Sequence, residues 1–150
     1  MKKITLAIAV TLITGLTVVY ATEKENINGP VATSFKQDFS NASDVKWIQE
    51  KNYAKASFKL NNQVMFAYYT ENGELLAVTR NILSDHLPIL LLADLKKTYS
   101  NYWISDLFEM SAQDETDYYV SLENADETLI LKSNGYSVWT VYKRTKKNKI

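Results

Sequence analysis

Residues 53–60, "YAKASFKL", place Ala54, Ala56, Phe58 and Leu60 on one phase and Tyr53, Lys55, Ser57 and Lys59 on the other. A period of two with one apolar phase predicts a β-strand covered on one face and wet on the other. Short runs of this kind, bounded by turn residues, predict strands over 44–49, 53–60, 63–70 and 74–82, and again over 103–111, 117–123, 127–132 and 136–142. The turn signals are Asn52, Asn61-Asn62, Asn72-Gly73, Asn124-Ala125 and Asn134-Gly135. Loops this short between successive strands require antiparallel pairing. Asn-Gly between two apolar runs, at 72–73 and 134–135, predicts a tight hairpin in each place, because both residue types tolerate positive φ.

Two segments carry the helical period instead. Val31, Phe35 and Phe39 are four apart and fall on one face, with Pro30 suited to a first turn. In the second, Ser84 or Asp85 can cap, Pro88 falls in the first turn, and Leu91, Leu92, Leu95 and Tyr99 form the core-facing stripe. A helix followed by four strands thus occurs twice, over about 30–82 and 84–142. "FSNASDVKW" aligns with "YSNYWISDLFEM", and the arrangement reads as a duplicated supersecondary unit. The expected fold is α+β: one antiparallel eight-stranded sheet with two helices on one face, in one domain of about 28–143, followed by a basic tail at 144–150.

The N-terminus changes the expected compartment. Lys2 and Lys3 precede an uncharged apolar run from Ile4 to Val19, and "VYA" ends at Ala21 with the small residues that a signal peptidase reads. The run is shorter than the roughly 20 residues of a spanning helix, so a cleaved signal peptide at 1–21 is expected rather than a membrane anchor. The chain has no cysteine, so lipid modification at the cut, disulfides, thiol nucleophiles and cysteine metal sites are not expected. Without disulfides, an exported chain of this length depends on its core. Cleavage would leave 15 basic and 17 acidic side chains, a balance that gives no general attraction to nucleic acid. The charge is uneven: residues 106–127 hold eight acids and no Lys or Arg, and "KRTKKNK" at 143–149 is basic. The basic run is expected to be a solvated terminus.

The order of these features resembles the beta-lactamase-inhibitor-like, PepSY-like domains of secreted bacterial proteins. The residues that carry the resemblance are Phe35, Phe39, Val45, Trp47, Asn72, Gly73, Leu87, Pro88, Tyr99, Asn134 and Gly135, spanning Val31 to Tyr142. The second repeat departs from the pattern, with Phe108 or Met110 where the first has Trp47 and a longer turn at "SNYWIS". The resemblance implies an exported, non-enzymatic α+β domain. It also implies either binding or inhibition of a peptidase, or binding of another protein on the sheet.

Side-chain chemistry adds little to suggest catalysis. His86, the one histidine, lies in "SDHLP" and is expected to be a surface or capping residue; a hydrolase would need a Ser or carboxylate beside it. "DETD" at 114–117 lacks the glycine and the later bidentate Glu of a calcium loop and is expected to be a turn between strands. No metal or cofactor is expected. The aromatics point further. Tyr53, Tyr69 and Tyr119, with Trp139, fall off the core phase and interleave with Lys55 and Lys59. This is the composition of a protein-binding face, and equally of cross-strand pairs that hold a sheet together. The expected function is an exported module that binds a protein or peptide; the alternative is a small-ligand carrier with a pocket between sheet and helices.

Overall fold

Asparagine decides where the tightest turn of the first strands falls. Asn61 and Asn62, with φ of 51° and 65°, join β2 (Ala54–Leu60) to β3 (Gln63–Tyr69). Two successive left-handed residues suit the twist of a two-residue hairpin, and asparagine adopts that conformation more readily than most residues. Gln113 and Asp114, at 50° and 65°, make the same turn between β5 (Trp103–Ala112) and β6 (Glu115–Glu123). In the computed structural model, residues 27–136 and 138–148 are described; the expected signal peptide lies outside the described residues.

Neither Asn-Gly pair makes that tight turn. Between β3 and β4 (Leu75–Asn81) only Gly73 has positive φ, at 83°. Its N–H donates to Thr70 O at 3.0 Å, and the Thr70 N–H donates to Glu74 O at 2.9 Å. This is the longer hairpin, in which a glycine in the left-handed region follows an ordinary turn. The second pair follows β7 (Glu127–Ser133) directly and precedes β8 (Thr140–Lys146) by several residues, of which 134–136 and 138–139 are described. With β1 (Ser43–Gln49), the eight strands form one sheet in the order β1-β2-β3-β4-β5-β6-β7-β8. The α+β expectation of two helices and an antiparallel eight-stranded sheet therefore holds. The last strand begins four residues later than its alternation suggested and takes in Arg144 and Lys146 of the expected basic tail.

The chain forms two compact units that divide between Val78 and Thr79. In the first, α1 (Gly29–Asp38) starts at Asn28, whose Oδ1 accepts from the Val31 N–H at 3.0 Å. The Asn28 Nδ2 donates to Glu71 O at 2.7 Å, which ties the helix start to the β3–β4 turn. Val31 and Phe35 of α1 are buried on Ala54, Ala56, Phe58, Ala67 and Tyr69. The Phe35 ring meets Phe58 edge-on at 5.0 Å and Trp47 at 5.1 Å. Edge-to-face contacts of this kind add to simple burial.

In the second unit, α2 (Ile89–Thr98) follows a 3₁₀ turn over Ser84–His86. Pro88 is the N-cap residue rather than a first-turn residue, and no side chain caps the helix, so the expected role of Ser84 or Asp85 is not observed. Lys96 and Lys97 fall in its last turn, where cations favour the helix dipole. Leu91 and Leu95 pack with Leu107, Val120, Leu122, Leu129 and Leu131. The basic end of the chain balances the acidic stretch: Arg144 pairs with Glu127 at 3.3 Å and Lys147 with Glu123 at 2.8 Å.

Phe58→Ala is expected to destabilise the first unit by about 3–5 kcal/mol in denaturant melts, the cost of emptying a buried aromatic site. A Cβ on Gly73 would lie 2.8 Å from both Pro30 O and Ser34 Oγ, at a backbone angle that disfavours side chains. Gly73→Ala should therefore also lower stability, by about 1–3 kcal/mol; an unchanged midpoint would mean that this turn does not hold the helix.

The Tyr69 hydroxyl donates to Asp38 Oδ2 at 2.8 Å. Burial first, and the Asp38 carboxylate second, push its pKa well above the ordinary tyrosine value. A raised folded-state pKa gives stabilisation that is fully present below the ordinary value of about 10 and is lost as pH rises beyond it. The stability gap between wild type and Tyr69→Phe should consequently narrow on going from about pH 8 to pH 11 in chemical denaturation. A gap that stays constant would show that the hydroxyl does not ionise differently on folding.

Candidate functional site

Strand pairing decides which aromatics share a face. Ala54 is opposite Tyr69, Ala56 opposite Ala67 and Phe58 opposite Met65, and these belong to the face under α1. Lys55 is opposite Tyr68, Ser57 opposite Phe66 and Lys59 opposite Val64, so these residues form the other face. Trp47 is opposite Ala56 and packs toward α1, which leaves Ile48, opposite Lys55, on the outer side.

Lys55 organises that outer face. Its Nζ lies 4.6 Å from the centre of the Phe66 ring and 5.7 Å from that of Tyr68. The negative face of each ring attracts the ammonium. The Tyr53 ring meets Tyr68 edge-on at 5.7 Å. Burial lowers the Lys55 pKa, and the nearby Glu50 opposes that shift. Tyr68 is itself buried, while Tyr53, Lys55 and Phe66 are half-buried and Ile48, Lys59 and Val64 are exposed. Lys59 reaches Asp44 Oδ2 at 2.7 Å, across the irregularity in β1 where Asp44 has a φ of 54°. The result is a patch of aromatic, aliphatic and lysine side chains on regular strands, in which Asp44 pairs with Lys59. Its side chains can contact a protein surface.

Three residues expected on an exposed face are buried. Tyr69 is at 0% exposure because its register with Ala54 turns it under α1. Trp139 is at 5% because it packs onto α2, where its indole N–H donates to Leu91 O at 3.0 Å. Tyr119 has the expected outer phase, since Val120 and Leu122 belong to the helix-side core, yet it is only 1% exposed. Neighbouring strands cover it: Phe108 stacks on its ring at 5.1 Å and 10°, Tyr142 meets it edge-on at 5.8 Å, and Lys132 Nζ lies 5.5 Å from its centre. Lys132 is also paired with Asp117 at 2.8 Å.

Of the expected set, Tyr53, Lys55 and Lys59 share the outer face of the first unit. Phe66, Val64 and Ile48 complete it. Alternation through "QVMFAYY" was the signal for the first two, once paired in register with Lys55 and Lys59. His86 is exposed at the end of its 3₁₀ turn, and no hydrogen bond to its ring occurs among the described residues. Among those residues no group of three or more His, Cys, Asp or Glu is placed to hold a metal ion.

No family model matches the chain, and no curated protein matches it. Solved structures do. A BLIP-like protein from Bacteroides fragilis is 18% identical with a TM-score of 0.68, over 79% of this chain and 85% of that one. A DUF2874 family protein from Bacteroides uniformis is 12% identical with a TM-score of 0.70, over 79% and 88%. A protein from Bacteroides eggerthii, provisionally described as periplasmic, is 13% identical with a TM-score of 0.69, over the same shares. The resemblance read from the helix, Trp47, Asn-Gly and Leu87-Pro88 order therefore holds at the level of architecture: this chain has the fold of these BLIP-like and DUF2874 structures.

Proposed function

We propose that this chain is an exported, non-catalytic module that binds a protein or peptide through the outer face of its first unit. The observation that carries the reading is the Lys55 cluster. A lysine ammonium is partly desolvated over Phe66 and Tyr68, within a patch completed by Tyr53, Lys59, Val64 and Ile48. Aromatic and cationic side chains held rigidly at a surface are the ones that anchor protein partners. The exported setting rests on Lys2, Lys3, the apolar run and Ala21, and agrees with the provisional periplasmic description of the similar Bacteroides eggerthii protein. A partner in the cell envelope, an inhibited peptidase included, fits that setting. The carrier alternative has less in its favour, because Leu91 and Leu95 lie in a packed cluster with Val120, Leu129 and Trp139.

The test is affinity enrichment from an envelope fraction followed by titration of the purified partner. Lys59→Gln with Val64→Thr alters two exposed side chains and leaves uncharged, strand-compatible residues opposite one another, so the melting temperature should stay close to wild type while affinity falls by about tenfold or more. Tyr119→Ala, in contrast, removes a buried ring and should lower stability. Undiminished binding by the double variant would place the partner elsewhere.

A further inference from the structure

Most acids of the 106–127 stretch are accounted for by the fold. Glu109 accepts from Arg80 Nε at 2.6 Å, Asp117 is paired with Lys132, Glu123 with Lys147 and Glu127 with Arg144. Asp106 accepts from Asn81 Nδ2 at 2.8 Å and from the Leu107 N–H at 3.0 Å. Asp114 and Glu115 are different. Both are exposed at the β5–β6 turn, and no cation pairs with either among the described residues.

These two carboxylates line an open cleft of about 700 Å³ in the second unit, together with Pro88, Tyr118 and Tyr136. Its size lies within the range of clefts that take a ligand of several side chains or a small molecule. Tyr136 is 96% exposed. Its backbone N–H donates to Asn134 Oδ1 at 3.2 Å. Gly135 makes the bend at a φ of 84°, and a Cβ there would stand 3.1 Å from the Tyr118 ring. The turn is thus seated on Tyr118 and presents the next aromatic to solvent. Beside Pro88 in the chain, Ile89 and Leu90 are also strongly exposed. An exposed ring that lines a cleft with carboxylates to which no cation is paired matches a partner that brings positive charge and apolar surface together.

We propose that this cleft docks an extended peptide segment, one that sets an arginine or lysine against Asp114 and Glu115 and an apolar neighbour against Tyr118, Tyr136 and Pro88. The charge selects the cation. The rings select a side chain with an aliphatic or planar stem over a compact ion, because such a stem covers aromatic surface while its head stays paired. This site is separate from the Lys55 face and does not rest on the function proposed for it.

The probe is a capped hexapeptide of alternating Arg and Leu, titrated into the full chain by calorimetry. Its controls are the Glu/Leu counterpart and spermidine. The Arg/Leu peptide should bind, more weakly as salt rises, while the Glu/Leu peptide should not. Asp114→Asn with Glu115→Gln preserves the left-handed turn, since asparagine tolerates it, and should weaken binding by about tenfold. Tyr136→Ala, which removes an exposed side chain, should weaken it about fivefold or more without lowering the melting temperature. Lys59→Gln with Val64→Thr should bind the peptide as wild type does. Equal affinity of the Asp114→Asn/Glu115→Gln variant and wild type would overturn the proposal. So would spermidine binding as tightly as the peptide, or no binding of the Arg/Leu peptide at all.

Discussion

The first unit depends on a matching of volumes. Ala54, Ala56 and Ala67 on β2 and β3 are completely buried, and no larger side chain occupies those positions on the strands. The hollow they leave is filled from above by Phe35, with Phe39, Trp47, Phe58 and Tyr69 arranged around it at centroid distances of 5.4, 5.1, 5.0 and 6.3 Å. Interiors pack at crystal-like density, so a methyl side chain on a sheet is useful only where a ring comes down onto it. The second unit solves the same problem in reverse. There the strands supply bulk through Leu107, Val120, Leu122, Leu129 and Leu131, and α2 adds aliphatic Leu91 and Leu95. Trp139 closes that core from a loop, and its one polar atom is satisfied by the Leu91 carbonyl.

Much of this was legible in the sequence, and the departures have identifiable physical causes. Strand 53–60 was plain because its two phases differ sharply in polarity, and the structure places them as read. The stretch "QVMFAYY" was harder: apolar residues occupy both phases, and only register against β2 separates Tyr68 from Tyr69. Tyr119 exposes a different limit. Phase tells which face a residue is on, whereas its exposure depends on Phe108 and Tyr142 of other strands. The late start of β8 has the same origin, since the apolar residues before it serve a loop that packs Trp139 on α2. The Asn-Gly pairs misled about turn type, because the dipeptide permits two left-handed residues without requiring them.

Charge is arranged by the same local logic. The acidic stretch and the basic end look like opposed blocks along the sequence, yet β7 and β8 bring Glu127 and Arg144 together, and Glu123 and Lys147 likewise. Pairs this exposed contribute little stability each. Their effect is local: they cancel charge where Glu123 and Glu127 meet the last strand and the residue after it. On the outer side of the first unit Lys55 is set among aromatic side chains and Lys59 is paired with Asp44.

The strand order, in which each strand lies beside its neighbours in sequence, has a consequence for how the chain reaches this state. Strands joined directly by a turn, as β2–β3, β3–β4 and β5–β6 are, pair at low sequence separation, so little loop entropy must be lost before each of those pairings is rewarded. The first helix and the strands that cover it are also contiguous along the chain. A polypeptide emerging N-terminus first from the ribosome would therefore release everything that the Phe35 cluster needs before its C-terminal half is free. The ends of the sheet are formed by the first and last strands, so assembly can add one strand at a time from either end without threading the chain through itself.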